Sequence, residues 1–273
     1  MNSLAVVHLA RGSNGMVPLS CFLESYSRHT AGAGHSLYIA FKGYDGNDAE
    51  LESSEAAAKA VGANPIRLAR DDLMDVGAYR EAAQKIDATW LVFLNSFTTI
   101  VADGWLGKLH DAIQQNGIGL AGATGSWESQ ATNAFRLIGE LRRPRDVARW
   151  LYKLWYSPSF PNCHVRTNGF IIRRDLFLRL AIPDTRRKQL AYAFESGRNS
   201  MTRQVHAAGL KAVVVGRIGI FEPAEWPVST TYCSGDQGNL LLEDNRSREY
   251  AGMSQEARRK KAFFAWGDVC FAN

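Results

Sequence analysis

The chain has 273 residues, which at about 150 residues per domain is one large domain or two small ones. Hydrophobic residues are 46% and charged residues 22%, with 24 glycines and 8 prolines, a balance that excludes a disordered, collagen-like or coiled-coil chain. The net charge of +5 suits an anionic ligand or an anionic membrane surface, and it is too small to point to nucleic acid. No apolar run approaches the roughly 18 residues of a membrane span, and Met1-Asn2-Ser3-Leu4 is not the cationic start of a signal peptide, so the sequence predicts a cytoplasmic protein. Cys21, Cys163, Cys233 and Cys270 are far apart and form no Cys-x-x-Cys pair; free thiols are expected.

Leu4 to Ala10 is a short apolar run stopped by Arg11-Gly12-Ser13-Asn14-Gly15, as a buried strand entering a loop would be. Val17 to His29 has helical apolar spacing, Ser36 to Phe41 is β-rich, Glu50 to Val61 is Ala-rich and helical, and Pro65 to Leu68 is a brief strand. Asp75 to Ile86 reads as a helix, Trp90 to Leu94 as a fully buried strand, and Gly104 to Gln115 as a helix ending at Asn116-Gly117. This alternation predicts a parallel sheet with helices on both faces.

Beyond a strand-like Ile118 to Ala123 the character changes. A polar loop, Thr124 to Thr132, leads into a basic, aromatic stretch read as an insertion or lid at about 133–165. Regularity returns with the strand Asn168 to Arg174, the helices Asp175 to Leu180 and Ser200 to Ala208, and the strand Lys211 to Val215. From Phe221 the chain looks irregular except for a helix from Ser254 to Phe264. The expectation is a single α/β domain with an open, twisted, mostly parallel sheet, divided into 1–115, 116–220 and a C-terminal extension 221–273. Gly117-Ile118-Gly119-Leu120-Ala121-Gly122 matches the dinucleotide-binding glycine pattern. A helix precedes it and the glycines lie in a strand, the reverse of what anion capture by a helix start requires, so it reads as a helix end and a close-packed strand.

The informative stretch is Asp75-Val76-Gly77-Ala78-Tyr79-Arg80-Glu81, then Trp90-Leu91-Val92-Phe93-Leu94-Asn95-Ser96-Phe97-Thr98, then Asp103-Gly104-Trp105-Leu106. Polar residues stand just past a buried parallel strand, where α/β sheets bind ligands. A second block is Thr167-Asn168-Gly169-Phe170-Ile171-Ile172-Arg173-Arg174-Asp175, followed by Phe194-Glu195-Ser196-Gly197-Arg198. Together these blocks resemble GT-A-fold glycosyltransferases, most like glycosyltransferase family 2, over about 4–109 and 167–215.

The resemblance implies a single GT-A-like domain whose first half holds a nucleotide-sugar donor and whose second half holds a glycan or lipid-linked acceptor. It implies donor contacts from Asn95, Ser96 and Thr98 at the position of the family's acidic motif, and from Arg11, Asp71 and Asp75 in the base and ribose region. Arg80 and Arg198 are the candidates for the leaving diphosphate. Glu195 is implied as the general base of an inverting transfer, with a carboxylate at a helix start as the bland alternative. Phe97 stands where the family's second metal-binding acid belongs; it cannot ligate a hard cation, which puts Mn²⁺ or Mg²⁺ in doubt. Asp75 reads equally well as a helix cap, and Arg80 and Arg198 as solvated surface cations.

Trp127, Glu128 and Asn168 are acceptor-side candidates, with a buried Trp127 in an ordinary turn as the alternative. Cys163-His164 has no second pair to complete a metal site. Pro144 to Tyr156 reads as an amphipathic basic helix, suited either to the inner face of an anionic membrane or to packing on the domain or on a second copy. The polar run after Leu240-Leu241-Leu242 is read as a flap without assigned chemistry. The rival function is a catalytically silent nucleotide-sugar or glycan-binding module, hinted at by Phe97.

Overall fold

The computed structural model describes residues 3–44, 46–70, 72, 74–136, 144–183, 186 and 188–271. The first half runs strand Leu4–Arg11 (β1), helix Met16–Arg28 (α1), strand Ser36–Lys42 (β2), helix Asp48–Ala60 (α2), strand Asn64–Arg67 (β3), helix Asp75–Lys85 (α3) and strand Trp90–Leu94 (β4). A short strand Thr99–Ile100 (β5), helix Trp105–Ile113 (α4) and strand Ile118–Gly122 (β6) follow. The apolar positions of α4, namely Trp105, Leu106, Leu109, Ala112 and Ile113, are all buried on one face, as a 3.6-residue period requires.

The stretch expected as loop and insertion carries strand Gly125–Ser126 (β7), helix Gln130–Arg136 (α5), helix Pro144–Tyr156 (α6) and strand His164–Val165 (β8). Then come strand Gly169–Arg173 (β9), helices Arg174–Arg179 (α7), Lys188–Ser196 (α8) and Met201–Ala207 (α9), and strands Lys211–Val215 (β10) and Ile220–Phe221 (β11). The C-terminal part is more ordered than expected, with strand Leu242–Glu243 (β12) and helices Asn245–Ala251 (α10) and Gln255–Trp266 (α11).

The main sheet has eight strands in the order β11-β10-β6-β9-β4-β1-β2-β3. β1 pairs in parallel with β2 and β4, β2 with β3, and β6 with β10. Two strands run against this grain: β9 is antiparallel to both β4 and β6, and β11 to β10. The open, mostly parallel α/β sheet is therefore as expected, with β9 and β11 as its antiparallel members. The chain leaves β6 at its carboxyl end, makes its excursion on that side, and re-enters at the same end, so β9 has to run backwards.

Strands covered on both faces are largely apolar. In β1, Ala5, Val7 and Leu9 face one core with Val76, Tyr79 and Ala82 of α3, while Leu4, Val6 and Ala10 face the other with Leu19, Phe22 and Leu23 of α1. The glycines of 117–122 serve packing. Gly117 has φ +82° after α4, and a Cβ at Gly119 or Gly122 would come within 2.7 Å of Leu210 or 2.3 Å of Val165. Cys21, Cys163 and Cys233 are free thiols, and among the described residues no helix is long and apolar enough to cross a membrane.

His8 sits in the α1-facing core with no exposure. Its ring stacks on Phe22 at 3.9 Å, and neither ring nitrogen has a partner among the described residues. Burial pushes its pKa down to about 3, so the folded protein holds it neutral. An unfolded histidine takes up its proton near pH 6.5. Its contribution to stability is thus constant above that pH and is lost as the pH falls toward 3, by about 1.4 kcal/mol per pH unit. His8→Leu should remove about that slope from the pH dependence of the unfolding free energy, read from urea titrations between about pH 6 and pH 4.

Candidate functional site

Strand order reverses at β1, with β2 on one side and β4 on the other, and the crevice beyond the carboxyl ends at such a point is where α/β sheets bind ligands. Arg11 closes β1 beside Lys42 at the end of β2, the two being register partners. Asp75, the first residue of α3 with Met74 as the cap, lies 3.6 Å from the Arg11 guanidinium. Burial raises the Asp75 carboxyl, against the pull of Arg11 and Lys42, and Glu195 adds to the rise. Behind them the fully buried Tyr79 hydroxyl donates to the Thr167 carbonyl at 3.5 Å, its pKa raised by burial and by the charges of Asp75 and Glu195. Arg11, Asp75 and Glu195 thus share one electrostatic neighbourhood. Arg80 is half-buried and makes no ion pair among the described residues. Asp71 lies outside the described residues.

The turn after β4 is held by its own side chains. Asn95 Oδ1 accepts from the Phe97 amide and from Thr98 Oγ1, each at 3.0 Å. The Thr98 hydroxyl, fully buried, shares its one proton between Asn95 Oδ1 and the Asn168 carbonyl, which lies 2.9 Å away, and the Asn95 amide donates to that carbonyl at 3.1 Å. Asn95 and Thr98 therefore shape the turn. Ser96 Oγ is buried with no partner among the described residues, and Phe97 is 36% exposed at the tip. Arg248 of α10 donates to the Phe97 carbonyl at 2.9 Å and to Thr99 Oγ1 at 3.0 Å, so a guanidinium stands beside the turn. At this turn the one side-chain oxygen of Asn95 already accepts two hydrogen bonds, and Phe97 offers no ligand atom.

Because β9 is antiparallel, the segment entering it meets this turn: Leu94 pairs with Gly169 and Gly122 with Phe170. Asn168 is buried and accepts from Thr124 Oγ1 at 2.7 Å through its side chain. Thr167 grips Glu195, whose Oε2 accepts from the Thr167 amide at 3.1 Å and from its hydroxyl. Glu195 is in the last turn of α8, which corrects the alternative of a carboxylate at a helix start: α9 is capped by Ser200 instead.

Glu195 lines a cavity of about 1010 Å³ that also meets Ser126, Glu128, His164, Arg166 and Tyr232, with α6 on one side and α8 on the other. His164, absent from the sequence candidates except as a discarded metal ligand, donates from Nδ1 to the Asn162 carbonyl at 2.7 Å, so its Nε2 is the acceptor nitrogen. Burial lowers its pKa against the opposing pull of Glu195, which keeps the ring neutral. No spacing rule could have found it, since the pairing of His164 with Ser126 in β7 and β8 brings it here. Glu128 holds Asn133 at 2.9 Å. Trp127 donates its indole N–H to Pro223 at 2.9 Å and packs against Trp266, so it braces the C-terminal part. Arg198, a candidate either for the diphosphate or for a solvated surface cation, is exposed and donates to the Trp155 carbonyl at 2.9 Å, and its amide to that of Tyr156 at 2.8 Å, at the end of α6.

A buried ion pair missed at the sequence level locks the floor. Arg166 Nη2 lies 2.8 Å from Asp244 Oδ2, with the Tyr232 ring 4.0 Å from the guanidinium and Thr124 Oγ1 3.3 Å from Nη1. Burial works to raise the Asp244 carboxyl, and the Arg166 charge with the Ser247 and Arg246 amides overcomes it, leaving its pKa lowered. The polar run after Leu242 is therefore built into the site rather than a free flap.

No family model matches the chain, and no curated protein matches it. Among solved structures it is similar to a mannosyltransferase from Pyrobaculum calidifontis in complex with GDP-Man and Mn²⁺, at 11% identity and TM-score 0.49, over 83% of this chain and 59% of that one. It is also similar to glucosyl-3-phosphoglycerate synthase from Mycobacterium tuberculosis in complex with Mn²⁺, UDP and glucosyl-3-phosphoglycerate (15%, TM-score 0.45, 78% and 70% covered). A third is CMP:2-keto-3-deoxy-manno-octonic acid synthetase complexed with CTP (14%, TM-score 0.46, 81% and 94% covered). The chain spans 59% of the length of the mannosyltransferase.

Removing one partner of a buried pair strands the other charge, at a cost of about 3–5 kcal/mol. Asp244→Asn should lose stability of that order in chemical denaturation, and Arg166→Met combined with Asp244→Leu should lie closer to the parent than either single change.

Proposed function

We propose that this protein is a GT-A-like glycosyltransferase that moves a sugar from a nucleotide-sugar donor to a hydroxyl of a glycan or lipid-linked glycan, with inversion. The observation that carries this reading is Glu195: Thr167 holds one carboxylate oxygen, and the side chain lines a large cavity next to the strand-order reversal. In the reaction the acceptor hydroxyl attacks the anomeric carbon and its proton passes to Glu195 as the new C–O bond forms. The bond from that carbon to the diphosphate breaks on the opposite face through an oxocarbenium-like state.

Donor contacts fall to Arg11 and Asp75 at the β1 end, with Arg80 and Asp71 as further candidates, and to Ser96 in the turn after β4. Asn95 and Thr98 serve by shaping that turn. With Phe97 in place of an acid, the charge of the leaving diphosphate is met by fixed cations, for which Arg11 and Arg248 are placed, since preorganised donors stabilise developing charge without an ion. Asn168 and Glu128 belong to the acceptor side. The exposed Val147, Leu151 and Trp155 of α6 suit attachment at a membrane surface by the cavity rim. The second reading, a silent binding module, is favoured by the self-satisfied Asn95 turn.

A thermal-shift panel of UDP-, GDP-, CMP- and dTDP-sugars, with and without Mn²⁺, tests the donor site. One nucleotide class should stabilise the protein by about 2.7 kcal/mol at 100 times its dissociation constant, and Mn²⁺ should add nothing. Glu195→Gln should keep that shift and the melting temperature while transfer falls by about 100-fold or more. Unchanged turnover would remove Glu195 from the mechanism. Binding with no turnover in the parent protein would favour the silent module.

A further inference from the structure

The cavity in front of Glu195 carries more positive charge than a neutral sugar calls for. Lys153, Arg166, Lys188, Arg246 and Lys261 line it against Glu128 and Glu195. Arg166 is answered by Asp244 at 2.8 Å and Arg246 by Glu249 at 3.1 Å. Lys153, Lys188 and Lys261 have no ion pair among the described residues. These three ammonium groups share the lining with two carboxylates, Glu128 and Glu195, which leaves the cavity a net positive charge that a bound anion would meet.

Their placement has a direction. Lys188 and Glu195 are seven positions apart on α8, which puts them on one face with about 10 Å of helix rise between them. Tyr192 stands between them on that face, its ring 5.6 Å from the Lys188 ammonium. Across the cavity α6 presents Lys153 together with Tyr152 and Tyr156, whose rings are 4.8 Å apart. The α8 face of the cavity thus offers a carboxylate at one end, an aromatic ring between and an ammonium group at the other, and α6 adds a further lysine beside two tyrosines. Tyrosine faces suit the apolar side of a sugar ring, and lysines are point-charge partners for phosphate.

We propose that this cavity takes a phosphate-bearing sugar, with its reactive hydroxyl at Glu195 and its phosphate at Lys188 and Lys153, Lys261 adding to the field from the floor. Its role as the acceptor rests on the glycosyltransferase reading above; the phosphate site does not. The phosphate has two possible sources, a soluble sugar phosphate or a phospholipid-linked sugar whose chain would lie along Val147, Leu151 and Trp155 at the rim.

The test is calorimetric titration of the full chain with a hexose 6-phosphate and with the same uncharged hexose, each with and without UDP or GDP. In parallel, sedimentation is measured with phosphatidylcholine vesicles that do or do not carry a polyprenyl phosphate sugar. The phosphorylated form is expected to bind at least about tenfold more tightly in one of the two arms, with the preference shrinking as salt rises. Lys153→Ala combined with Lys188→Ala should abolish that preference with an unchanged melting temperature, and Lys188→Arg should retain it. Preference in the soluble arm assigns a sugar phosphate, and preference confined to vesicles assigns a lipid-linked one. No preference in either arm overturns the proposal, as does a preference that survives the double substitution. Displacement of the sugar phosphate by UDP or GDP gives the lysines to the donor and also overturns it. If no nucleotide sugar binds while the lysine-dependent preference persists, the glycosyltransferase reading falls and the phosphate site stands; the reverse pattern removes the phosphate site alone.

Discussion

The antiparallel entry of β9 between β4 and β6 is the constraint on which the site depends. In a sheet built of crossovers alone, the loop before a strand lies at the opposite edge from the loop after its neighbour. Here Gly169 is paired with Leu94 and Phe170 with Gly122, so the segment 164–168 arrives where β4 and β6 end. The Asn168 carbonyl then serves the turn after β4, its side chain serves Thr124, and Thr167 next to it holds Glu195. The close pairing also explains the small residues. A Cβ on Gly122 would stand 2.3 Å from Val165, and one on Gly169 would stand 2.6 Å from Leu242.

The C-terminal part is joined to this junction by charge as well as by packing. β12 pairs with β5 just after the turn that follows β4, and Asp244 then caps α10 through the Arg246 and Ser247 amides while gripping Arg166. Such a pair adds little net stability, because desolvation offsets its attraction, but it strongly disfavours any arrangement that separates the partners. Its effect is to bind the last part of the chain to the cavity floor in one register. Arg248 is brought to Phe97 by the same run of residues.

This produces two unlike halves of one site. At the turn after β4 the polar groups are largely turned inward: Asn95 and Thr98 bond to each other and to the β9 segment. On the cavity side the groups are turned outward: Glu195 keeps an oxygen free of Thr167, His164 keeps Nε2 free of Asn162, and the lysines face the space between α6 and α8.

Much of the fold was legible in the residues. Strands such as Trp90–Leu94 and Lys211–Val215, and the helix Pro144–Tyr156, lie within the limits that apolar runs and 3.6-residue spacing mark, because burial on one face or both is written directly into residue type. The glycine run 117–122 was readable as packing for the same reason: a strand without side chains has to be approached closely. Arg198, Trp127 and the Arg166–Asp244 pair were not legible as what they are. Nothing in the local sequence says that an arginine will close a helix end 43 residues away, or that two opposite charges 78 residues apart will meet in the interior. The sequence by itself determined which segments are strands and helices and that polar groups follow β4. The tertiary structure alone decided that β9 runs backwards, that His164 and Glu195 share a cavity, and which cations are already paired, because strand direction and charge pairing depend on where distant segments return, and local periodicity carries no record of that.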